Sequence, residues 1–177
     1  MKKILLLAAV ACISAVSINA QSFGKGDNVA GLNVGFGGSY GVPVSLTYER
    51  GIHKINNKMS IGVGAIAGYG GSSESMIWGK WKYSNILLGA RGAWHYTAIK
   101  KLDLYAGLTL GYDVASAKFT WNDPKDEQTI GKLSASAGGF LWGAYAGARY
   151  YFNKSFGVNA EVGYGLAYLN IGVAYKF

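Results

Sequence analysis

Few residues in this chain could do acid–base or nucleophilic chemistry. There are two histidines, His53 and His95, and one cysteine, Cys12. No His/Asp/Glu spacing meets metal-ligand geometry, so no metal or other cofactor is expected. Gly62-Val63-Gly64-Ala65-Ile66-Ala67 loosely matches a dinucleotide fingerprint, but a Gly-rich stretch follows where a helix would be needed. What remains is a scatter of single charges: Glu49, Arg91, His95, Asp103, Asp113, Arg149, Glu161 and Lys176. Opposite charges gathered into one dry space either pair statically or line a path for ions, because a lone desolvated ion is expensive.

The elements that would carry these charges are strands. Apolar residues recur at every second position in Leu32–Phe36, Val42–Tyr48, Met59–Tyr69, Ile86–Tyr96, Leu102–Val114, Phe140–Tyr150, Phe156–Leu166 and Leu169–Phe177. A period of two means strands with one apolar face and one polar or small face. The charges named above fall on the polar face, among Gly, Ala, Ser and Asn. Water-facing sheet surfaces normally carry more Lys, Glu and Thr, so that face is expected to be interior. Aromatic residues concentrate at the ends of the apolar stripes. Tyr69, Tyr112, Trp142 and Tyr164 mark one set of ends; Tyr48, Trp94, Tyr96, Tyr150, Phe156, Tyr175 and Phe177 mark the other. Consecutive strands reverse, so these ends form two rings around an apolar band, the girdle pattern of a membrane barrel. The fold class expected is all-β: an eight-stranded antiparallel up-and-down transmembrane β-barrel. Closure pairs every backbone group that an open edge would leave bare in lipid.

With both termini at the periplasmic side, the outward connections are expected at Gly37–Gly41, Gly70–Lys82, Ser116–Lys132 and Ala167–Asn170. The periplasmic connections are expected at Arg50–Lys58, Thr97–Lys101 and Asn153–Ser155. That arrangement puts His53 in a turn and Leu166 on the lipid face. Pro43 falls near a strand end, where a missing donor is tolerable, and Asp123-Pro124 reads as a turn.

Residues 1–20, MKKILLLAAVACISAVSINA, read as a cleaved signal peptide: two lysines, an apolar run and a small residue before the cut. Cys12 would leave with it, although AVAC weakly resembles a lipoprotein box. Residues 21–177 form the barrel domain. Lys and Arg number 17 against 9 Asp and Glu, spread singly rather than in a basic helix or stripe. An exported chain of this kind favours an anionic lipid surface over nucleic acid.

The closing residues carry a resemblance. Gly163-Tyr164-Gly165 and Leu169, Ile171, Val173, Tyr175 and Phe177 resemble the C-terminal signal of small outer-membrane barrels of the OmpA/OmpX-like class, the outer membrane protein β-barrel domain family. The likeness spans residues 21–177. It implies an outer membrane of Gram-negative type, lipid and lipopolysaccharide as surroundings, and recognition of the last strand by the barrel-assembly machinery. Barrel enzymes that modify lipid A place a His with Ser and an acid near the outer leaflet; neither His53 nor His95 reaches that level.

Two expectations follow for sites. Glu49, Arg91, His95, Asp103, Arg149, Glu161 and Lys176 should point into the lumen towards the periplasmic half, with Asp113 higher, as a static polar plug or as the gate of a narrow pore. In the second outer loop, Trp78, Lys80, Trp81 and Lys82 would contact either the lipid interface or a partner. The functional classes left open are a structural or interaction barrel, including a subunit of a larger outer-membrane assembly; a narrow pore or small-solute channel; and, least supported, a lipid-modifying enzyme.

Overall fold

The computed structural model describes residues 22–38, 41–123 and 131–177. The leader with Cys12, and the turn expected at Pro124, lie outside these residues. Eight strands follow in order: β1 Asn28–Phe36, β2 Val44–Lys54, β3 Met59–Met76, β4 Gly79–Ile99, β5 Leu102–Trp121, β6 Ser134–Tyr151, β7 Phe156–Tyr164 and β8 Leu169–Lys176. Each pairs antiparallel with its sequence neighbour, and β1 pairs with β8, so the sheet closes on itself. The closing register sets Leu32 opposite Val173 and Val34 opposite Ile171.

Alternation determines the register, since a one-residue slip would turn every apolar side chain inward. The outcome is inside-out relative to a soluble protein. Leu46, Leu88, Leu108 and Val162 lie mid-strand and are about 60% exposed, while Asn33, Ser45, His95 and Asp103 are buried. Water does not tolerate a continuous apolar belt of this extent; lipid requires one. Trp142 packs on Tyr164, and Phe156 and Phe177 flank Tyr175, at opposite ends of the stripes.

The wall is uneven. β1, β2, β7 and β8 have 9, 11, 9 and 8 residues, close to the number that crosses a bilayer. β3 to β6 have 18, 21, 20 and 18 residues and project past the others as a ribbon at the end opposite the termini, hereafter the far end. This corrects two expected loops. Gly70–Lys82 is a hairpin with only Ile77 and Trp78 between strands, so Lys80, Trp81 and Lys82 belong to β4. The expected loop from Ser116 begins after Trp121 instead, and β6 starts at Ser134. On the outward face of the ribbon Ser, Gly, Lys and Thr take the place of the apolar stripe, so the lipid-facing periodicity stops there, while Trp81, Tyr83, Phe119 and Trp121 line the other face. Pairing continues through cross-strand contacts such as Trp81 on Phe119 at 5.1 Å.

Two smaller corrections concern the expected turns. His53 lies in β2, next to a register shift between Gly51 and His53. Leu166 is buried rather than lipid-facing: the chain leaves β7 through Gly165 at φ +143°, and Leu166 turns inward over Gly68.

Candidate functional site

The lumen is layered, and the layers start at the end that carries the termini. Ser22–Asp27 folds back into the mouth of the barrel. Phe23 is buried against Val29 and Ala174, and its ring lies 4.1 Å from that of His95. The segment is tied down by backbone bonds from Gly26 N–H to the Gly51 carbonyl (2.8 Å) and from Gly51 N–H to the Asp27 carbonyl (2.9 Å). Ser22 bonds Thr97 through their hydroxyls, and Ser60 Oγ donates to the Phe23 carbonyl at 3.3 Å. The Gly24 carbonyl sits where a Cβ of Gly51 would be, so this fold-back requires glycine at 51.

Above Phe23 lies a closed set of four ions. His95 Nε2 is 2.7 Å from Glu49 Oε1, and His95 Nδ1 is 3.0 Å from Asp103 Oδ2. Arg149 reaches the same two carboxylates, through Nη2 to Glu49 at 3.1 Å and Nη1 to Asp103 at 3.3 Å. Carboxylate oxygens only accept, so His95 meets both acids by donating from both ring nitrogens as the imidazolium. Two acids and two bases then cancel, and each base bridges both acids. His95 and Asp103 are 0% exposed, which such neutrality makes tolerable. Gly62 leaves the space: a Cβ there would come within 2.7 Å of Glu49 Oε1 and 3.1 Å of His95 Nε2.

A second neutral pair stands beyond. Arg91 Nη2 donates to Glu161 Oε2 at 3.0 Å, and Tyr105 O–H donates to Glu161 Oε1 at 2.9 Å. The Arg91 guanidinium lies 3.8 Å above the Tyr145 ring, and that of Arg149 lies 4.9 Å from the Tyr105 ring. Further towards the far end, the buried side chains of Leu87, Leu166 and Ala167 replace charge with apolar bulk. Lys176 lies apart from both clusters: Nζ donates to the Ser22 carbonyl at 3.3 Å and is 3.8 Å from Asp27 Oδ2. Asp113, nearer the far end, accepts from Asn85 Nδ2 at 3.2 Å.

The seven expected lumen charges thus all point inward, but they form separate neutral groups. Phe23, Tyr105, Tyr145 and Leu166 complete the layers and were not among the expected site residues. Tyr105 and Tyr145 share the face of the charges and were legible by parity. Phe23 lies in SFGKGD, outside any alternation, and the two glycines that follow it, Gly24 and Gly26, were the available signal. Among the described residues no group of three His, Cys, Asp or Glu is placed to hold a metal ion.

On the outer surface of the ribbon, Lys82 of β4 stands directly opposite Lys118 of β5, with Lys80 two residues along. Trp81 shares the other ribbon face with Phe119, and Trp78 occupies the turn, 70% exposed. In β8 and the residue that follows it, Ile171, Val173, Tyr175 and Phe177 are exposed on the lipid face with Leu169 partly so, while Gly172, Ala174 and Lys176 lie on the lumen side.

No family model matches the sequence, and no curated protein matches it. Among solved structures, a major outer membrane protein from Thermus thermophilus superposes with a TM-score of 0.57 at 14% identity, covering 85% of this chain and 99% of that one. A de novo designed transmembrane β-barrel gives 0.51 at 17% identity, covering 89% of this chain and 100% of the design. The chain has the fold of a small outer-membrane β-barrel. The N-terminal β-barrel domain of Pseudomonas aeruginosa OprF is similar in the same way, with a TM-score of 0.50 at 14% identity over 88% of this chain and all of the domain. These likenesses concern the path of the backbone alone.

Proposed function

We propose that the protein is an exported outer-membrane barrel with a shut lumen, which acts through its surfaces as a structural or interaction component of the cell envelope. The observation that carries this reading is the stack along the lumen: Phe23, the four-ion ring of Glu49, His95, Asp103 and Arg149, the Arg91–Glu161 pair, and Leu166 with Ala167. An ion crossing it would have to separate pairs of buried charges, which is costly. Planar-bilayer recording tests the reading. The wild-type barrel should show no stable conductance steps, and well-resolved steps sensitive to charge reversal at Arg91 or Arg149 would replace the plug by a gated pore.

The termini face the periplasm in this reading, and the ribbon faces outward. Cleavage after Ala20 would free the chain just before Ser22, which is the geometry the seated Phe23 needs. The outward lysines Lys80 and Lys82, with Lys118, stand above the apolar band where lipopolysaccharide phosphates would balance their charge. Leu169, Ile171, Val173, Tyr175 and Phe177 serve as the signal read by the assembly machinery. Deleting Phe177 should lower the amount of folded barrel in cells by more than it lowers the stability of folded protein, which loses the two backbone bonds between Phe177 and Asn28; full assembly of the truncated chain would refute that role.

A further inference from the structure

We infer that the periplasmic mouth of the barrel carries a binding site for an acidic peptide. The inference rests on the orientation proposed above. Between the folded-back segment and the β2–β3 and β4–β5 turns lies a groove of about 630 Å3, within the range of ligand-sized pockets, about 300–1,000 Å3. Lys25, Lys54, Lys58 and Lys100 all line it. The one carboxylate lining it, Asp27, is engaged elsewhere: Oδ2 accepts from Gly24 N–H at 2.9 Å and lies 3.8 Å from Lys176 Nζ.

The ammonium groups of Lys25, Lys54 and Lys58 around one cleft repel each other and attract oxyanions into it. Each is a rotatable point charge with three donors, suited to carboxylates that arrive in several orientations. Two or more neighbouring carboxylates on one chain would satisfy the cleft better than a single anion. Asn57 adds an amide on the same wall. The floor decides the source of the ligand. It is formed by the lumen-side residues Ser22, Phe23, Ser60 and Thr97, so the cleft opens at the end of the barrel axis. Phospholipid headgroups surround the outer wall instead. A segment rich in Glu or Asp, reaching up from the aqueous side, is the partner this position fits.

The test uses the mature barrel in nanodiscs of neutral lipid, with a dye-labelled hexaglutamate peptide as probe and fluorescence polarisation as readout. Saturable binding is expected, weakened at least tenfold in Lys54→Glu/Lys58→Glu and unchanged in the far-end control Lys80→Glu/Lys82→Glu. Both lysines of the first variant are exposed, and a heat-modifiable folded band on gels confirms that the variant barrel is intact. No saturable binding would overturn the site, as would equal loss in both variants, which signals general charge attraction. A second arm compares retention of phosphatidylglycerol by the two variants in mixed-lipid nanodiscs. Loss of lipid in Lys54→Glu/Lys58→Glu with unchanged peptide binding would assign the cleft to phospholipid and overturn the proposal. Trypsin cleavage of the Lys54–Lys58 turn in intact cells would overturn the orientation, and with it the periplasmic source. Failure of the plug reading appears separately, as conductance.

Discussion

The lumen and the far-end ribbon handle charge in opposite ways. Inside, Arg149 meets two carboxylates and Arg91 meets one, all within 3.3 Å, and the acids cancel the bases. On the ribbon, Lys82 faces Lys118 across the strand pair with no such arrangement. The difference is one of solvent. A buried ion without a partner costs several kcal/mol, so the interior must pair every charge it admits. An exposed lysine keeps its water, and like charges opposite each other cost only a few tenths of a kcal/mol to about 1 kcal/mol. Interior charges therefore depend on one another, and losing one partner strands the other, while ribbon charges stay hydrated.

Breaking the interior should have the largest effect. Arg149→Ala or Glu161→Ala should lower unfolding stability by about 3–5 kcal/mol, because each strands a buried opposite charge; urea titration of the barrel in vesicles reads this directly. Replacing a pair together, as in Arg91→Leu/Glu161→Leu, should cost much less than Glu161→Ala, because no ion is left behind. If the double variant is the worse of the two, the pairs act by something other than neutrality.

Phe23→Ala comes next. It should cost about 1–2 kcal/mol, less than an enclosed core truncation, because the terminal segment can detach instead of leaving a sealed cavity. Proteolysis near Lys25 should accelerate in step. Lys176→Ala should cost about 1 kcal/mol, since its partners are a carbonyl and the partly exposed Asp27. Melting shifts as large as those of Arg149→Ala would erase the distinction between ring and rim. At the small end, Lys82→Ser should change stability by less than about 0.5 kcal/mol. Its sign should be stabilising at low salt and should fade as salt screens the repulsion with Lys118.

The barrel was legible in the sequence wherever lipid imposed a stripe. Leu102 to Val114 alternate because their even positions meet hydrocarbon, and parity alone sent Asp103 and Tyr105 inward. Beyond the bilayer the constraint lapses. Ser116–Trp121 and Gly79–Lys82 carry no apolar stripe on the outward face, so they read as loops although they pair as strands. Phe23 and Leu166 were missed for a related reason. Phe23 next to Gly24 lies outside any run and Leu166 next to Gly165 lies at the end of one, where the direction of a side chain is set by the path of a few residues rather than by period. Gly165 shows this: its φ of +143° turns the chain so that Leu166 enters the lumen.

By itself, then, the sequence determined which face of each strand meets lipid, how many strands close the wall, and which charges share the interior. A period of two is a local property, and the chain displays it residue by residue. Which charge meets which was decided by the tertiary structure alone. Glu49 on β2 and Arg149 on β6 are 100 residues apart and touch across the lumen because closure and strand stagger bring their levels together. Likewise Phe23 reaches His95 because the Ser22–Asp27 segment folds back into the mouth of the closed wall and is bonded there to Gly51. Such contacts depend on distances between strands that are not neighbours, and no local pattern encodes those distances.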